Sequence, residues 1–334
     1  MNTKACFAQS IVRRFRRWLD NERIQVREAL TNWGEDLYIA FTSMLWERYC
    51  LIRICVIYRG RAIPLVWEVI EHGSSSVNFE TYRHLLDKTQ ALIPVRYEVI
   101  FLADRGFADT KLMAYLRETL HWHWRIRAKS SFWVYRDGQQ RCKVNRIGLE
   151  RGQARLWHNV YITNARFGTV HLALAKPKIG RERWFIVRDQ PTELTTFDEY
   201  GLRFDIEENF LDDKSNGFKL ESSLIRSARA LSRLCLVLAI ATLFLVCQGV
   251  QVVNTGKRRW VDAHWFRGSS YFKIGWKWVL LAGRKGYALV SRWRLSPGDD
   301  PQPAMASRNQ TKNLNATKFS LQLEVFRTLD ICFV

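Results

Sequence analysis

The sequence predicts an α/β protein in which a mixed β-sheet is flanked by helices. Three successive apolar runs with no helical segment between them indicate an antiparallel meander at the start of the sheet. Two later apolar runs each follow a segment of helical length, which indicates crossovers between parallel strands. Several further β-rich runs precede a charged helical segment, so a β-rich insertion is expected within the α/β core.

The predicted core covers residues 36–128, and the insertion covers residues 129–195. Core strands are expected at 37–41, 49–57, 63–69, 98–103 and 122–128, with helices at 79–92 and 110–120. The insertion has strand-like runs at 132–135, 155–163, 169–175 and 183–188. Mostly apolar runs of this length are typical of strands that are covered on both faces.

Four further segments complete the predicted organisation. Residues 1–35 form a short basic helical lead with four clustered arginines, Arg13, Arg14, Arg16 and Arg17. Residues 196–255 hold the charged helical segment and an apolar helix. Residues 256–296 interleave basic residues with tryptophans, which suits either a nucleic-acid surface or a small helical subdomain with core tryptophans. Residues 297–334 begin rich in Pro, Asp, Asn, Thr and Ser, and we expect a loose tail there.

The apolar helix is expected to lie buried under the sheet. Its dense apolar part, residues 234–246, is 13 residues long, whereas a membrane-spanning helix needs about 20. The first ten residues lack a long apolar stretch, so no signal peptide is expected. The seven cysteines include no C-x2-C pair, which disfavours a zinc site or a disulfide framework and fits a reducing cytoplasm.

The chain is strongly basic, with 52 Lys and Arg against 32 Asp and Glu and a formal net charge of +20. Such an excess attracts phosphate groups and releases counterions on binding. A nucleic-acid partner is therefore expected. Charge alone leaves ribosomal, chromatin-like and nuclease proteins equally open.

One predicted core strand ends in an acidic residue. The apolar run 97–103 stops at Asp104, which is followed by Arg105 and Gly106. Ligands collect at the carboxyl ends of parallel strands, so Asp104 is expected at the rim of the sheet. Taken alone, an Asp-Arg-Gly turn is more often structural.

The charged helical segment carries a regularly spaced polar set: Tyr200, Arg203, Glu207 and Lys214. On an α-helix these side chains share a stripe about 60° wide. A carboxylate flanked by phosphate-binding groups suits metal-assisted phosphoryl transfer on DNA. Taken alone, such a set is more often the solvated face of a charged helix, because further acidic residues crowd the same segment.

Together these motifs resemble those of the DDE transposases of bacterial insertion sequences. The spacing from Tyr200 to Lys214 matches the Y-R-E-K signature of a subgroup of insertion-sequence family four. Residues 104–107 are similar to the segment that holds the second catalytic aspartate of that family, and residues 58–67 to another of its blocks. The resemblance covers roughly residues 11–255.

The resemblance implies an RNase H-like core in which the first strand lies beside the strand that ends at Asp104. In that family two Mg²⁺ ions lie between two aspartates and a glutamate, and here Asp104 and Glu207 would be the catalytic metal ligands. The residues implied to contact DNA are Tyr200, Arg203, Lys214, Arg105, Arg13, Arg14, Arg16 and Arg17. The β-rich insertion of the family carries a base-holding aromatic residue, for which Trp157 and Trp184 are candidates.

The resemblance also implies partners and a location. The partner is double-stranded DNA, both the terminal inverted repeats of the transposon and the target DNA. A homodimer on paired ends is expected, with no membrane contact. The location is the bacterial cytoplasm, on the nucleoid when DNA is bound.

One departure from the family pattern concerns the first catalytic aspartate. The family places this aspartate on the first core strand before a Thr-Ser pair, whereas this chain reads Phe41-Thr42-Ser43 without an acid. Asp36 is the nearest carboxylate on the strand, about 16 Å from the vacancy at 3.3 Å per residue. A metal–oxygen bond is only about 2.1 Å long. The catalytic set is therefore predicted to be incomplete, and DNA cleavage poor or absent.

Three functions remain open from the sequence. The chain is an impaired insertion-sequence transposase, or a catalytically dead DNA-binding remnant of one. A remoter alternative is an RNase H-like host nuclease, which gives no reason for the full Y-R-E-K spacing.

Overall fold

The structure, a computed structural model, describes residues 36–178, 182–291, 293, 295, 300–305 and 327–332. The basic lead predicted over residues 1–35, with Arg13, Arg14, Arg16 and Arg17, lies outside the described residues.

The described elements follow the predicted order of strands and helices. The strands are β1 (Asp36–Trp46), β2 (Tyr49–Tyr58), β3 (Arg61–Glu71), β4 (Glu98–Ala103), β5 (His123–Arg127), β6 (Trp133–Tyr135), β7 (Cys142–Lys143), β8 (Gln153–Ile162), β9 (Phe167–Lys176), β10 (Trp184–Arg188) and β11 (Arg327–Cys332). The α-helices are α1 (Phe79–Leu92), α2 (Thr110–Glu118), α3 (Thr195–Gly201), α4 (Asp205–Leu211), α5 (Ala228–Asn254) and α6 (Tyr271–Lys285).

The sheet has the strand order β3-β2-β1-β4-β5-β10-β9-β8-β6-β7. Its first three strands are antiparallel neighbours, whereas β1, β4 and β5 run parallel. A meander followed by parallel crossovers is the RNase H-like arrangement, so the predicted fold class is confirmed. The predicted adjacency of β1 and β4 is confirmed as well.

Helices cover both faces of the core sheet, which is why every residue of β2 is buried. On one face, side chains of α1 and α2 pack against Leu37, Ile39 and Phe41 of β1. On the other face, side chains of α4 and α5 pack against Ala40. Successive residues of β1 therefore point to opposite layers, as strand geometry requires. This alternation decides which β1 side chains face the helical segment of the candidate site.

The β-rich insertion extends the core sheet. Strand β10 pairs antiparallel with β5, with Ile186 opposite Arg127, and β9, β8, β6 and β7 continue the sheet outward. The predicted strands of the insertion are present, but their backbone hydrogen bonds join them directly to the core.

The apolar helix α5 is longer than its predicted apolar part and starts at Ser227, whose hydroxyl accepts the N–H of Ala230. It packs on β3 and on α6. At the crossing with α6 the backbones touch, because a Cβ on Gly275 would lie 1.8 Å from the carbonyl oxygen of Leu245. Among the described helices, only α5 is long and apolar enough to cross a membrane, and half of its apolar window is buried in the protein. A buried core helix has the same composition.

One described strand lies within residues 297–334, for which the sequence predicts a loose tail. Strand β11 pairs parallel with β8, with Ile331 opposite Leu156. Only the far end of β8, from Tyr161, pairs with β6, which leaves the polar backbone groups of Gln153–Trp157 on that edge for another strand. An open strand edge of this kind readily accepts an extended segment.

Candidate active site

The segment that carries the Tyr-Arg-Glu-Lys set is helical but not a uniform α-helix. Helix α3 leads through a 3-10 turn, Leu202–Phe204, into α4, and a π-helical turn, Asp212–Asn216, follows. These turns differ from the 3.6 residues per turn on which the predicted stripe depends. The structure brings Tyr200, Arg203 and Glu207 together, whereas Lys214 lies on the π-helical turn beyond α4.

Arg203 lies at the centre of this cluster. Its side chain is almost buried, and its Nη2 donates to Oε1 of Glu207 at 2.6 Å. Burial alone would lower the pKa of the guanidinium, but Tyr200, Glu207 and Asp104 together raise it. Arg203 therefore stays charged, in the electrostatic field of both candidate metal ligands.

Tyr200 is fully buried in the described structure. Its ring packs among side chains of β8, β9 and β10, including Trp184. Burial raises the pKa of its phenol to about 12, with Asp104 acting in the same direction and Arg203 opposing it. The phenol therefore remains protonated at neutral pH, beside Arg203. Trp157 and Trp184 are buried too, so neither ring is presented to a base in this arrangement.

Asp104 lies at the end of β4, at the rim where the sequence predicts it. Its carboxylate accepts the N–H of Arg105 at 2.6 Å and so caps the 3-10 turn Arg105–Phe107. The Arg105 side chain is exposed beside it. Asp104 contributes to the electrostatic fields at Tyr200 and Arg203, which places it against the helical segment.

Thr42 stands where the resemblance requires the first aspartate. Strand β1 runs parallel to β4 with Phe41 opposite Ala103, and one further step sets Thr42 opposite Asp104. Ala40 faces the layer of α4 and α5, and Thr42, two residues on, faces the same layer. Asp36 pairs with Glu98 at the far end of the two strands. The position beside Asp104 therefore presents a hydroxyl in place of a carboxylate.

The donor set fits one divalent ion better than two. The described residues contain no group of three or more His, Cys, Asp or Glu side chains that could hold a metal ion. Asp104 and Glu207 both raise the pKa of Arg203, and they are the two candidate metal ligands of the cluster. Mg²⁺ commonly binds one or two carboxylates and completes its shell with water and phosphate oxygens. A second ion needs a further carboxylate, which Thr42 does not supply.

The start of the helical segment is held to the sheet by a cluster of ion pairs that we call the N-terminal clamp: Arg125, Arg188, Asp189 and Glu199. Glu199 on α3 accepts from Nε of Arg125 at 2.5 Å and lies 3.3 Å from Nη1 of Arg188. Asp189 contacts His123 at 2.5 Å. That contact is the main factor that lowers the pKa of Asp189 against the effect of burial.

The other end is held by the C-terminal clamp: Arg53, Arg61, Asn209, Asp212 and Asp213. Arg53 of β2 contacts Asp213 at 2.5 Å and Asn209 at 2.8 Å, and its ion pair with Asp213 is inaccessible to solvent. Arg61 of β3 lies 3.0 Å from Asp212. This clamp was not predicted from the sequence. An arginine inside the apolar run 49–57 is nevertheless a usable signal, because buried charges are almost always paired.

A comparison with models of known protein families finds a match. The family model described as "Transposase DDE domain" matches residues 46–244. Position 42 precedes the matched range. No curated protein matches the chain.

A solved structure of a piggyBac transposase synaptic complex with hairpin DNA is similar at 10% identity, with a TM-score of 0.40. The similarity covers 84% of this chain and 61% of that one. The family match spans more than half of the chain and includes both Asp104 and Glu207. The chain therefore belongs to the family of transposases that carry a DDE domain.

Proposed function

We propose that this protein is a Y-R-E-K transposase of insertion-sequence family four whose cleavage chemistry is impaired. It binds double-stranded DNA at the terminal inverted repeats and at the target, and cuts or joins strands weakly. The complete spacing from Tyr200 to Lys214 and the family match over residues 46–244 support this assignment.

The register of β1 against β4 is the single observation that carries the proposal. Because Phe41 lies opposite Ala103, Thr42 occupies the site beside Asp104. A neutral hydroxyl is a much weaker ligand for Mg²⁺ than a carboxylate. Members of the family generally use divalent metal ions, so the loss of one carboxylate acts directly on the chemistry.

The remaining residues have distinct roles in the proposed site. Asp104 and Glu207 would hold one Mg²⁺, which when bound supplies Lewis-acid activation of water or a 3′-hydroxyl at the scissile phosphate. Arg203 pairs with Glu207 and lies in the electrostatic field of Asp104. If Glu207 bound the ion instead, the guanidinium would hold the flanking phosphate. Tyr200 positions the Arg203 guanidinium from inside the core. Arg105, exposed at the end of β4, and Lys214 contact the DNA backbone.

We also propose a role for the arginines that precede β1, and a dimeric assembly. The arginines at positions 13, 14, 16 and 17 grip a phosphate backbone near the element end. A homodimer forms on paired ends, without membrane contact, in the bacterial cytoplasm. The proposed functional segments of the chain are residues 1–35, 36–128, 129–195, 196–255, 256–296 and 297–334.

The test is Mg²⁺-dependent cleavage of DNA that carries the ends of the native element. The protein is compared with Thr42→Asp and with a variant that has Asp inserted between Phe41 and Thr42. We expect both variants to cut and the parent to cut poorly. Thr42→Asp places a carboxylate beside Asp104 without moving any other residue, whereas the insertion also exchanges the faces of the strand beyond it.

Glu207→Gln in the Thr42→Asp background is the matched control and should abolish the restored cleavage. Retained cleavage by this double variant would refute the role of Glu207. Cleavage by the parent at the rate of Thr42→Asp would refute the proposed impairment.

A second candidate function is a DNA-binding remnant that occupies element ends without cutting them. The 2.6 Å contact between Arg203 and Glu207 favours it, because the arginine already neutralises one metal ligand. This candidate predicts end-specific binding with no cleavage by any variant. An RNase H-like nuclease would instead cut without regard to the element ends.

A further inference from the structure

We infer that residues 257–285 form a second DNA-contacting surface on which Trp265 stacks against an unpaired base. The inference rests on the DNA partner of the proposed function and concerns residues other than Asp104, Arg203 and Glu207. We call it the basic aromatic surface, and it consists of Trp265 and the exposed cations Lys257, Arg259, Lys273, Lys277, Arg284 and Lys285.

The charge of this region is one-sided. Between residues 251 and 290, all of which the structure describes, Asp262 is the only acidic residue. Asp262 is buried, and its carboxylate accepts the N–H groups of Gly268 and Ser269 at 3.0 and 3.2 Å. Within this range the exposed charged side chains are therefore all positive, although Lys273 also acts on Asp212, which lies outside the range. Such a surface attracts a polyanion over a distance that decreases as the salt concentration rises.

The loop that carries Trp265 is braced from inside. Arg258 is almost buried, and its Nη1 donates to the carbonyl oxygens of Asp262, His264 and Phe266 at 3.0, 2.8 and 2.9 Å. Its Nη2 donates to the carbonyl oxygen of Trp265 itself at 3.2 Å. The loop thus folds around the guanidinium of Arg258, and these hydrogen bonds fix the backbone at Trp265.

Trp265 differs from the other tryptophans of this region in its exposure. Trp260 and Trp278 pack with Tyr287, with ring centroids 5.5 to 6.1 Å apart, and Lys257 lies 5.7 Å from both tryptophan rings. Trp265 touches Phe266 edge-on and remains 73% exposed. Because the Trp265 ring is exposed and its backbone is fixed, it can bind a ligand with little loss of conformational entropy.

The combination of one highly exposed ring and six cations indicates the kind of DNA that would bind. A tryptophan can stack on a base only where that base has left the duplex stack, and such stacking tolerates any sequence. The exposed lysines and arginines of residues 257–285 would contact the phosphates of the same strand. Single-stranded or locally unpaired DNA satisfies both groups, whereas an acidic peptide would engage only the cations.

The experiment compares the affinity of the full-length protein for a single-stranded oligonucleotide with its affinity for a duplex of the same sequence, without Mg²⁺. Trp265→Ala should weaken single-strand binding by roughly 5- to 100-fold, the loss of one stacked base. Duplex binding should change by less than about twofold, because intact duplex offers no base to this ring. Trp265→Phe should retain most of the single-strand affinity.

Two further variants serve as controls. Lys277→Gln should weaken binding to both DNAs and reduce the slope of log affinity against log salt by about 0.7 to 0.9. Val95→Ala removes part of an exposed apolar side chain, 97% accessible, on the loop between α1 and β4 and should change neither affinity. Circular dichroism and elution volume report on the fold and oligomeric state of each variant.

Unchanged single-strand affinity in Trp265→Ala would overturn the inference. Equal weakening for single strand and duplex would also overturn it, because the residue would then contribute only to backbone contact. A shift from dimer to monomer with unchanged DNA affinity would show that the surface joins two copies of the chain. Since no cleavage is measured, a protein that never cuts DNA can still pass this test, and failure of the proposed function stays distinguishable.

Discussion

The two ends of the helical segment at residues 195–216 are both fixed to the sheet by arginines, but the two clamps differ in burial. In the N-terminal clamp, Glu199 serves Arg125 and Arg188 and its side chain is 22% exposed. Gln190 accepts from both arginines as well. In the C-terminal clamp, the ion pair of Arg53 with Asp213 has 0% and 1% side-chain exposure.

This difference indicates where the candidate site tolerates change. Water and Gln190 can replace some of the contacts of Glu199, whereas nothing accessible can replace the charge of Asp213. A buried charge without its partner destabilises a fold far more than a solvated one. Arg203 and Glu207 thus lie between the N-terminal clamp, whose contacts can be partly replaced, and the C-terminal clamp, whose ion pair cannot.

Removal of the buried carboxylate should have the largest effect. Asp213→Ala leaves Arg53 charged in the core and is expected to lower the free energy of unfolding by about 3–5 kcal/mol. Urea unfolding at pH 7 measures the change. In the double variant Arg53→Met/Asp213→Ala no charge remains unpaired, so much of the loss should be recovered. A double variant as unstable as the single one would show that packing, and not charge, dominates at this end.

The equivalent change in the N-terminal clamp should cost less. Glu199→Ala is expected to lower the free energy of unfolding by about 2 kcal/mol, the loss of charge-assisted hydrogen bonds to two arginines that keep other partners. The same urea titration applies, with Glu199→Gln as the isosteric control. A loss as large as that of Asp213→Ala would remove the distinction between the clamps.

Two groups, His171 near the N-terminal end and Asp212 at the C-terminal end, should affect the pH dependence of stability with opposite signs. At the N-terminal end, burial lowers the pKa of His171 to about 4, with His158 and Arg188 acting in the same direction. The folded state therefore binds fewer protons here than the unfolded state, and stability is lost as the pH falls from about 6.5 to 4. At the C-terminal end, burial raises the pKa of Asp212 to about 6 despite Arg61 and Lys273. The folded state binds more protons there, and stability is gained as the pH falls through 6.

Two variants test this opposition. Relative to the parent, His171→Gln should lose less stability between pH 7 and pH 4.5, and Asp212→Asn should lose more. Thermal unfolding at the two pH values gives the differences. Shifts of the same sign in both variants would contradict the assignment of at least one group.

The smallest effect on stability is expected at Glu207 itself. Its side chain is 54% exposed, and its contact with Arg203 is an i,i+4 pair. Such pairs contribute about 0.3–0.5 kcal/mol, so Glu207→Gln should change the free energy of unfolding by less than about 1 kcal/mol. A larger loss would mean that the glutamate supports the fold, and its variant would then be a poor control for cleavage.

The sequence predicts the order of the strands and helices along the chain, and Asp104 at the end of a strand, because mostly apolar runs of this length are typical of buried strands. The local shape of residues 200–216 could not be predicted in the same way. The π-helical turn coincides with contacts from Asn209 and Asp213 to Arg53, more than 150 residues earlier in the chain. Helical periodicity likewise shows which side Tyr200 faces, but not that β8, β9 and β10 cover that side.

The backbone pairing of β5 with β10 couples the unfolding of the insertion to that of the core. Backbone hydrogen bonds join β5 to β10. Separating the insertion from the core would therefore expose an edge of β5 in the middle of the sheet. The core and the insertion are therefore one cooperative unit, and amide hydrogen exchange should protect β5 and β10 to the same degree. Excision of residues 129–195 would remove the strand that closes β5, so the remaining core would tend to pair with other molecules through that edge.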